Sequence, residues 1–161
     1  MRRPELTLRQ LAVALPVVFI LHVLEEAPGF VAWFNRHVDP DITSRLFLTV
    51  NAAGFVITLI AATAIAVSRD RVTAVLATAW VGFLMLANGL LHLVATLADA
   101  GYAPGVVTGT LLYLPMSLLF MRAVAREFRM PLGFVAAAAL VGGVPMYVHG
   151  WLIVFRGSRL L

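Results

Sequence analysis

The chain is 161 residues long, 61% hydrophobic and only 12% charged, with a mean hydropathy of +0.95. A soluble globular domain carries roughly 25% charged residues, so an ordinary soluble fold is excluded, and this much apolar surface also excludes disorder. The composition describes an integral membrane protein, with 1–161 as a single transmembrane domain. With no cysteine, disulfides, thiolate nucleophiles and Cys-ligated metals are ruled out. All twelve basic residues are arginine, which removes lysine Schiff-base chemistry. The net charge of +4 does not indicate nucleic acid as a partner, because the arginines are spread over short inter-helix segments instead of forming a patch.

Taken in chain order, five apolar stretches run over 10–29, 46–67, 72–97, 104–121 and 132–155. At ~1.5 Å per residue each is long enough to cross a ~30 Å hydrocarbon core. The expected fold class is therefore all-α, a five-transmembrane-helix bundle. The first stretch follows Arg2, Arg3 and Arg9 as a signal peptide would. It lacks a small-residue cleavage site and runs into Glu25-Glu26, so it reads as an uncleaved first helix. Between the first two stretches lies a polar segment, Trp33 to Arg45, in which His37 reads as a solvated loop residue. Arginine sets the orientation. With a cytoplasmic N-terminus that side holds eight arginines, from Arg2 to Arg129, against Arg36, Arg45, Arg156 and Arg159 on the other. The expected localisation is the cell membrane, multi-pass, with the N-terminus cytoplasmic and the C-terminus extracytoplasmic. Phe30, Trp33, Phe34, Tyr102, Trp151 and Phe155 then form an aromatic belt on the outer face.

The informative residues are polar groups inside the spans. An ionisable side chain in a spanning helix costs ~2.5–3.5 kcal/mol on insertion scales, so it needs a partner or a purpose. The first helix carries His22, Glu25 and Glu26 at i, i+3 and i+4, which share one face. The third carries Asn88 and His92 one turn apart, the second Asn51 and the fifth His149. Counted from the outer end of each helix, His22, Asn51, His92 and His149 all lie ~9–11 Å deep. Tyr113 of the fourth helix lies near a similar level and reads either as part of that polar layer or, more simply, as a packing aromatic. Two carboxylates at one level need neutralising, and no arginine lies in a helix interior. Protons, the histidines or a metal cation remain. Gly105-Val-Val-Thr-Gly109 is a GxxxG match, which signals close helix packing. Pro16, and Gly142-Gly143 with Pro145, should loosen their helices.

The His22-Val-Leu-Glu25-Glu26 run resembles the signature of the HXXEE domain family, small multi-helix membrane proteins of uncharacterised function. The later Asn and His residues and the chain length are also like that family, so the resemblance spans the chain. It implies a membrane fold and no reaction. The Glu25-Glu26 pair is similar to the glutamate-type intramembrane CAAX proteases, although their pair is followed by arginine and here Ala27-Pro28-Gly29-Phe30 follows. Five helices enclosing Glu, His and Asn also look like the sterol isomerases of the EXPERA group.

The residues themselves support three function classes. The first is a metal-dependent membrane enzyme, a hydrolase or oxidoreductase, acting on a lipid or isoprenoid-like substrate. His22, Glu25, Glu26, His92 and His149 would hold zinc or iron, Glu25 or Glu26 would act as base, and Asn51, Asn88 and Tyr113 would support the metal or meet substrate. The second is a metal-free His/Glu acid–base lipid isomerase. The third is a small transporter or lipid-binding subunit without catalysis. The expected partner is a membrane lipid or hydrophobic small molecule, and the oligomeric state stays open.

Overall fold

The computed structural model describes residues 5–38, 41–68 and 70–152. Among them, five helices are long and apolar enough to span a membrane: α1 (Leu8–Glu26), α3 (Ser44–Val67), α4 (Arg71–Asp99), α5 (Val106–Glu127) and α6 (Leu132–Leu152). A short helix, α2 (Phe30–His37), lies between the first two. No strand occurs among the described residues.

Local chemistry sets the helix starts. Thr7 and Gln10 form a capping box at α1, the Thr7 hydroxyl accepting from the Gln10 N–H at 3.2 Å and the Gln10 side chain accepting from the Thr7 N–H at 2.9 Å. The Thr43 hydroxyl accepts from the Leu46 N–H at α3, and the Asp70 carboxylate from the Thr73 N–H at α4. Hydrogen bonds from the Ser68 hydroxyl, then from Thr73, hold the Asp70 carboxyl well below the usual carboxylate range. Helix α5 differs, because its N-cap is Gly105, with no side chain to serve it.

Several boundaries depart from the pattern of the sequence; α5 runs on past 121 to Glu127, taking Arg122 and Arg126 into the helix. Helix α1 stops at Glu26 instead of continuing to Gly29, since Pro28 has no N–H for the Leu24 carbonyl. The chain turns there, with Gly29 N–H bonded to the Glu26 carbonyl at 3.0 Å. The polar segment from Trp33 is partly helical. Phe30, Trp33 and Phe34 recur at i, i+3 and i+4, giving α2 one aromatic face, and none of its residues is fully buried. Asn35 then braces the following loop through both the N–H and the carbonyl of Ile42.

The core shows which helix is central. Half of the apolar window of α4 is buried, against 17% for α3 and for α6. Leu8, Leu11, Leu15 and Phe19 of α1 pack with Val81, Leu84 and Met85 of α4 and with Phe120 and Val124 of α5. Outward residues such as Val67, Leu97 and Val141 are 70–80% exposed, as expected where lipid replaces water. Helices α4 and α6 meet backbone to backbone. A Cβ on Gly82 would lie 2.0 Å from the Ala139 carbonyl oxygen, and one on Gly142 would lie 2.1 Å from that of Ala79. Small residues permit this approach, the usual basis of helix association in lipid.

Two π-turns interrupt the long helices, Gly82–Ala87 in α4 and Gly109–Tyr113 in α5. Each inserts one extra residue into a turn, rotating everything beyond it by ~100°. Both lie directly beside the polar residues described below. Because the α4–α6 contact has no room for a side chain, Gly82→Val should cost at least ~2 kcal/mol. Gly133→Ala, where nothing lies within 4 Å, should be neutral or slightly stabilising. Thermal unfolding of both variants in the same detergent checks the contrast.

Candidate functional site

His22 and Glu26 stand one turn apart near the end of α1, and His92 projects from α4 beyond its π-turn. All three are buried, at 2%, 5% and 7% exposure. The Glu26 Oε1 atom lies 3.0 Å from His92 Nε2 and 3.5 Å from His22 Nε2. One ligand-capable atom from each residue falls within 4.8 Å of the others, which makes this group fit to hold a metal ion. The titratable neighbours of Glu26 are the two histidines. His22 Nε2 is buried with no hydrogen-bond partner.

The surroundings fix these rings tightly. Tyr113 stacks on His22 with centroids 4.0 Å apart, and the two imidazoles meet edge to face at 5.0 Å. Thr108 Oγ1 sits 2.8 Å from His22 Nδ1. Thr108 and Tyr113 are five residues apart, and the intervening π-turn brings both onto one imidazole. An α-helical turn would have separated them by ~140°. On the opposite side, the left-handed turn at Gly105 (φ +99°) leaves room for the His92 ring, since a Cβ there would approach His92 Cε1 to 2.6 Å. Phe30 of α2 contributes an edge contact to His92 at 6.3 Å. This ring also packs on Phe34 and on Phe47 of α3, so α2 is tied to the site through aromatic contacts.

The paired carboxylates have different jobs. Glu25 does not join the His22–Glu26–His92 group. Its Oε1 accepts from Tyr102 Oη at 2.8 Å and from the backbone N–H of Gly105 and Val107 at 3.2 and 3.0 Å. Its Oε2 accepts from the Thr108 N–H at 2.7 Å and from the Thr108 hydroxyl. Glu25 is therefore the cap that α5 lacks, supplied by another helix. Burial, and secondly the hydrogen bond to Glu25, push the Tyr102 phenol above its ordinary range. The expectation of one shared face fails for a simple reason. Relative to His22, a residue at i+3 is rotated ~60° one way and one at i+4 ~40° the other, so the two glutamates diverge by ~100°.

Other expected site residues are placed elsewhere. His149 is exposed and does not enter the group. In its turn of α6 it is Gly150 that faces α4, where a Cβ would lie 2.3 Å from Leu91, so His149 is turned away from that contact. Asn51 is half-buried and donates to the Phe47 carbonyl of its own helix at 3.0 Å. Asn88, one turn before His92, keeps a buried Oδ1 without a hydrogen-bond partner, as does the Tyr113 hydroxyl. His37 is not simply solvated. Its Nε2 lies 3.2 Å from Asp99 Oδ1, and Trp33 Nε1 donates to Asp99 Oδ2, pinning α2 to the end of α4. In the GxxxG match, Gly109 packs against the backbone of Gly89, whereas Gly105 makes the turn that accommodates His92. Thr108 escaped the sequence reading altogether, because its partners Glu25 and His22 lie 83 and 86 residues away.

The family described as proteins of unknown function with an HXXEE motif matches residues 13–120, and the chain belongs to it. No curated protein and no solved structure matches the chain. The matched span contains His22, Glu25, Glu26, His92, Thr108 and Tyr113 and ends before α6 begins, so every residue of the buried group lies within it and His149 does not. The turn at Gly105 gives a direct check on the site. Gly105→Ala adds a clash with His92 and places an L-residue at a strained φ, which should cost ~1–3 kcal/mol. Gly101→Ala meets nothing closer than 3.3 Å and should cost much less, as thermal unfolding in detergent would show.

Proposed function

We propose that this protein is a membrane-embedded metal centre, built from His22, Glu26 and His92, that acts on a lipid or isoprenoid-like molecule. The observation that carries the reading is His22 Nε2, a buried nitrogen without a hydrogen-bond partner facing a carboxylate oxygen. With its proton on Nδ1, the His22 ring presents a second acceptor to that oxygen, and a cation between the two relieves the repulsion. The donor set is the right one. Two imidazoles and one carboxylate bind Zn²⁺ in hydrolytic sites and non-haem iron in oxygenases, with positions left open for water or substrate. For bonds of ~2.0–2.1 Å, tetrahedral ligands stand ~3.3 Å apart, close to the 3.0 and 3.5 Å that separate Glu26 from the two imidazoles, while all three ligand atoms lie within 4.8 Å of one another.

The protein's own residues divide the work accordingly. His22, Glu26 and His92 hold the cation and neutralise the buried charge. Glu25 is committed to capping α5 and serves neither as ligand nor as base. The Tyr113 hydroxyl and Asn88 Oδ1, buried and unpartnered, are the groups left to meet a polar substrate head. When bound, the metal would supply Lewis acidity or an activated water. The arginine distribution supports a cytoplasmic N-terminus, which puts the group towards the outer leaflet, within reach of a lipid head-group. One observation favours a second reading, a metal-free His/Glu proton shuttle. A single proton between His22 Nε2 and Glu26 Oε1 would also relieve the repulsion.

Elemental analysis separates the two. The protein, stripped and reconstituted, should hold about one transition-metal equivalent at neutral pH. Binding must displace protons from the ligand atoms, so retention should fall as the pH is lowered. His22→Ala and His92→Ala should abolish binding, Glu26→Gln should weaken it, and His149→Ala should leave it unchanged. Absence of bound metal, with no thermal shift on adding Zn²⁺, Fe²⁺ or Mn²⁺, would exclude the metal centre and leave the proton shuttle.

A further inference from the structure

We infer that Glu25 and Thr108 are positioning residues that fix the tautomer of His22, holding its proton on Nδ1 and presenting a bare Nε2 to the site. The inference rests on the metal-centre reading for its consequence but not for its geometry. It follows from counting protons along one chain of contacts. Glu25 receives the N–H groups of Gly105, Val107 and Thr108 and the hydroxyl of Tyr102. Four donors converging on a carboxylate at the N-terminus of α5 are the setting of an anion. An anion has no proton to give, so in the contact between Thr108 Oγ1 and Glu25 Oε2 the hydroxyl donates.

That spends the single hydroxyl proton of Thr108. Its oxygen still faces His22 Nδ1 at 2.8 Å, and only a lone pair is left to offer. His22 Nδ1 must be the donor, and in a neutral imidazole Nε2 then carries no proton. The same Nε2 is the atom that lacks a hydrogen-bond partner and faces Glu26. The relay Glu25–Thr108–His22 thus reaches from the cap of one spanning helix to the ligand atom of another. Stacking by Tyr113 fixes the plane of the ring, and the relay fixes which edge is basic. A hydrogen-bonded partner on the remote nitrogen is the usual way a metal-binding imidazole is oriented, and its loss typically weakens metal affinity 10–100-fold.

Histidine ¹⁵N NMR on the wild-type protein without added metal tests the tautomer directly, with the His22 signal assigned by its disappearance in His22→Gln. At a pH where the ring is neutral, the Nδ1–H form is expected. An Nε2–H form would mean that the relay runs the other way, from a protonated Glu25, and would overturn the inference. Zinc titration then tests the consequence. Thr108→Val, which keeps the shape and removes the hydroxyl, should weaken Zn²⁺ binding at least tenfold with unchanged helicity by circular dichroism. Thr108→Ser should retain affinity within about threefold. Equal affinity in wild type and Thr108→Val would also refute the positioning role. Failure of the wild type to bind Zn²⁺ at all would instead count against the metal centre, while the NMR result still decides the tautomer.

Discussion

Helix α5 begins at a glycine that offers no cap, and the carboxylate of Glu25 on α1 supplies one. In a bilayer the first N–H groups of a helix have little water to turn to, and leaving them unpaired costs several kcal/mol. The demand is met across the bundle, and much else follows from it. The end of α1 is locked to the start of α5. His22, one turn back along α1, is brought against Thr108 and Tyr113. Glu26, next in sequence to the cap, is turned inward towards His92. One helix terminus thereby sorts two adjacent glutamates into a structural residue and a buried site residue.

The inward glutamate then sets the electrostatic problem of the core. Glu26 is 5% exposed and, among the described residues, has two imidazoles, but no arginine, within ion-pair distance. A carboxylate in such surroundings is tolerated only with a compensating positive charge or a shared proton. The protein has also cleared space around these rings by means that cost helix regularity. The π-turn of α5 and the left-handed turn at Gly105 lie next to His22 and His92, and the π-turn of α4 ends at Ala87, just before Asn88. Widened turns of this kind gather at functional sites, and those of α5 and Gly105 have an evident steric result. Thr108 and Tyr113 share one histidine, and His92 fits where a side chain on residue 105 would otherwise stand.

The five spans were legible in the sequence because hydropathy is a local property; their ends shifted where caps and Pro28 intervened and where α5 runs on through Arg122 and Arg126 to Glu127. His22, Glu26 and His92 were legible as intramembrane ionisable residues near one depth. Depth, however, fixes position along the membrane normal and not the angle around each helix. Asn51 bonds to its own helix and His149 is exposed, so both stand apart from the group. The angles in α4 and α5 depend on π-turns that have no periodic signature, so the meeting of Thr108, Tyr113 and His22 was invisible. The role of Glu25 was hidden for a related reason, since its donors are backbone groups 80 or more residues away.

X-ray absorption at the metal edge of the reconstituted protein tests the central claim most directly. The account predicts two imidazole nitrogens and one carboxylate oxygen at ~2.0–2.2 Å, with the imidazole scattering reduced by one ring in any residual metal of His92→Ala. A bound metal surrounded by oxygen alone, or an imidazole count that survives replacement of both His22 and His92, would contradict it.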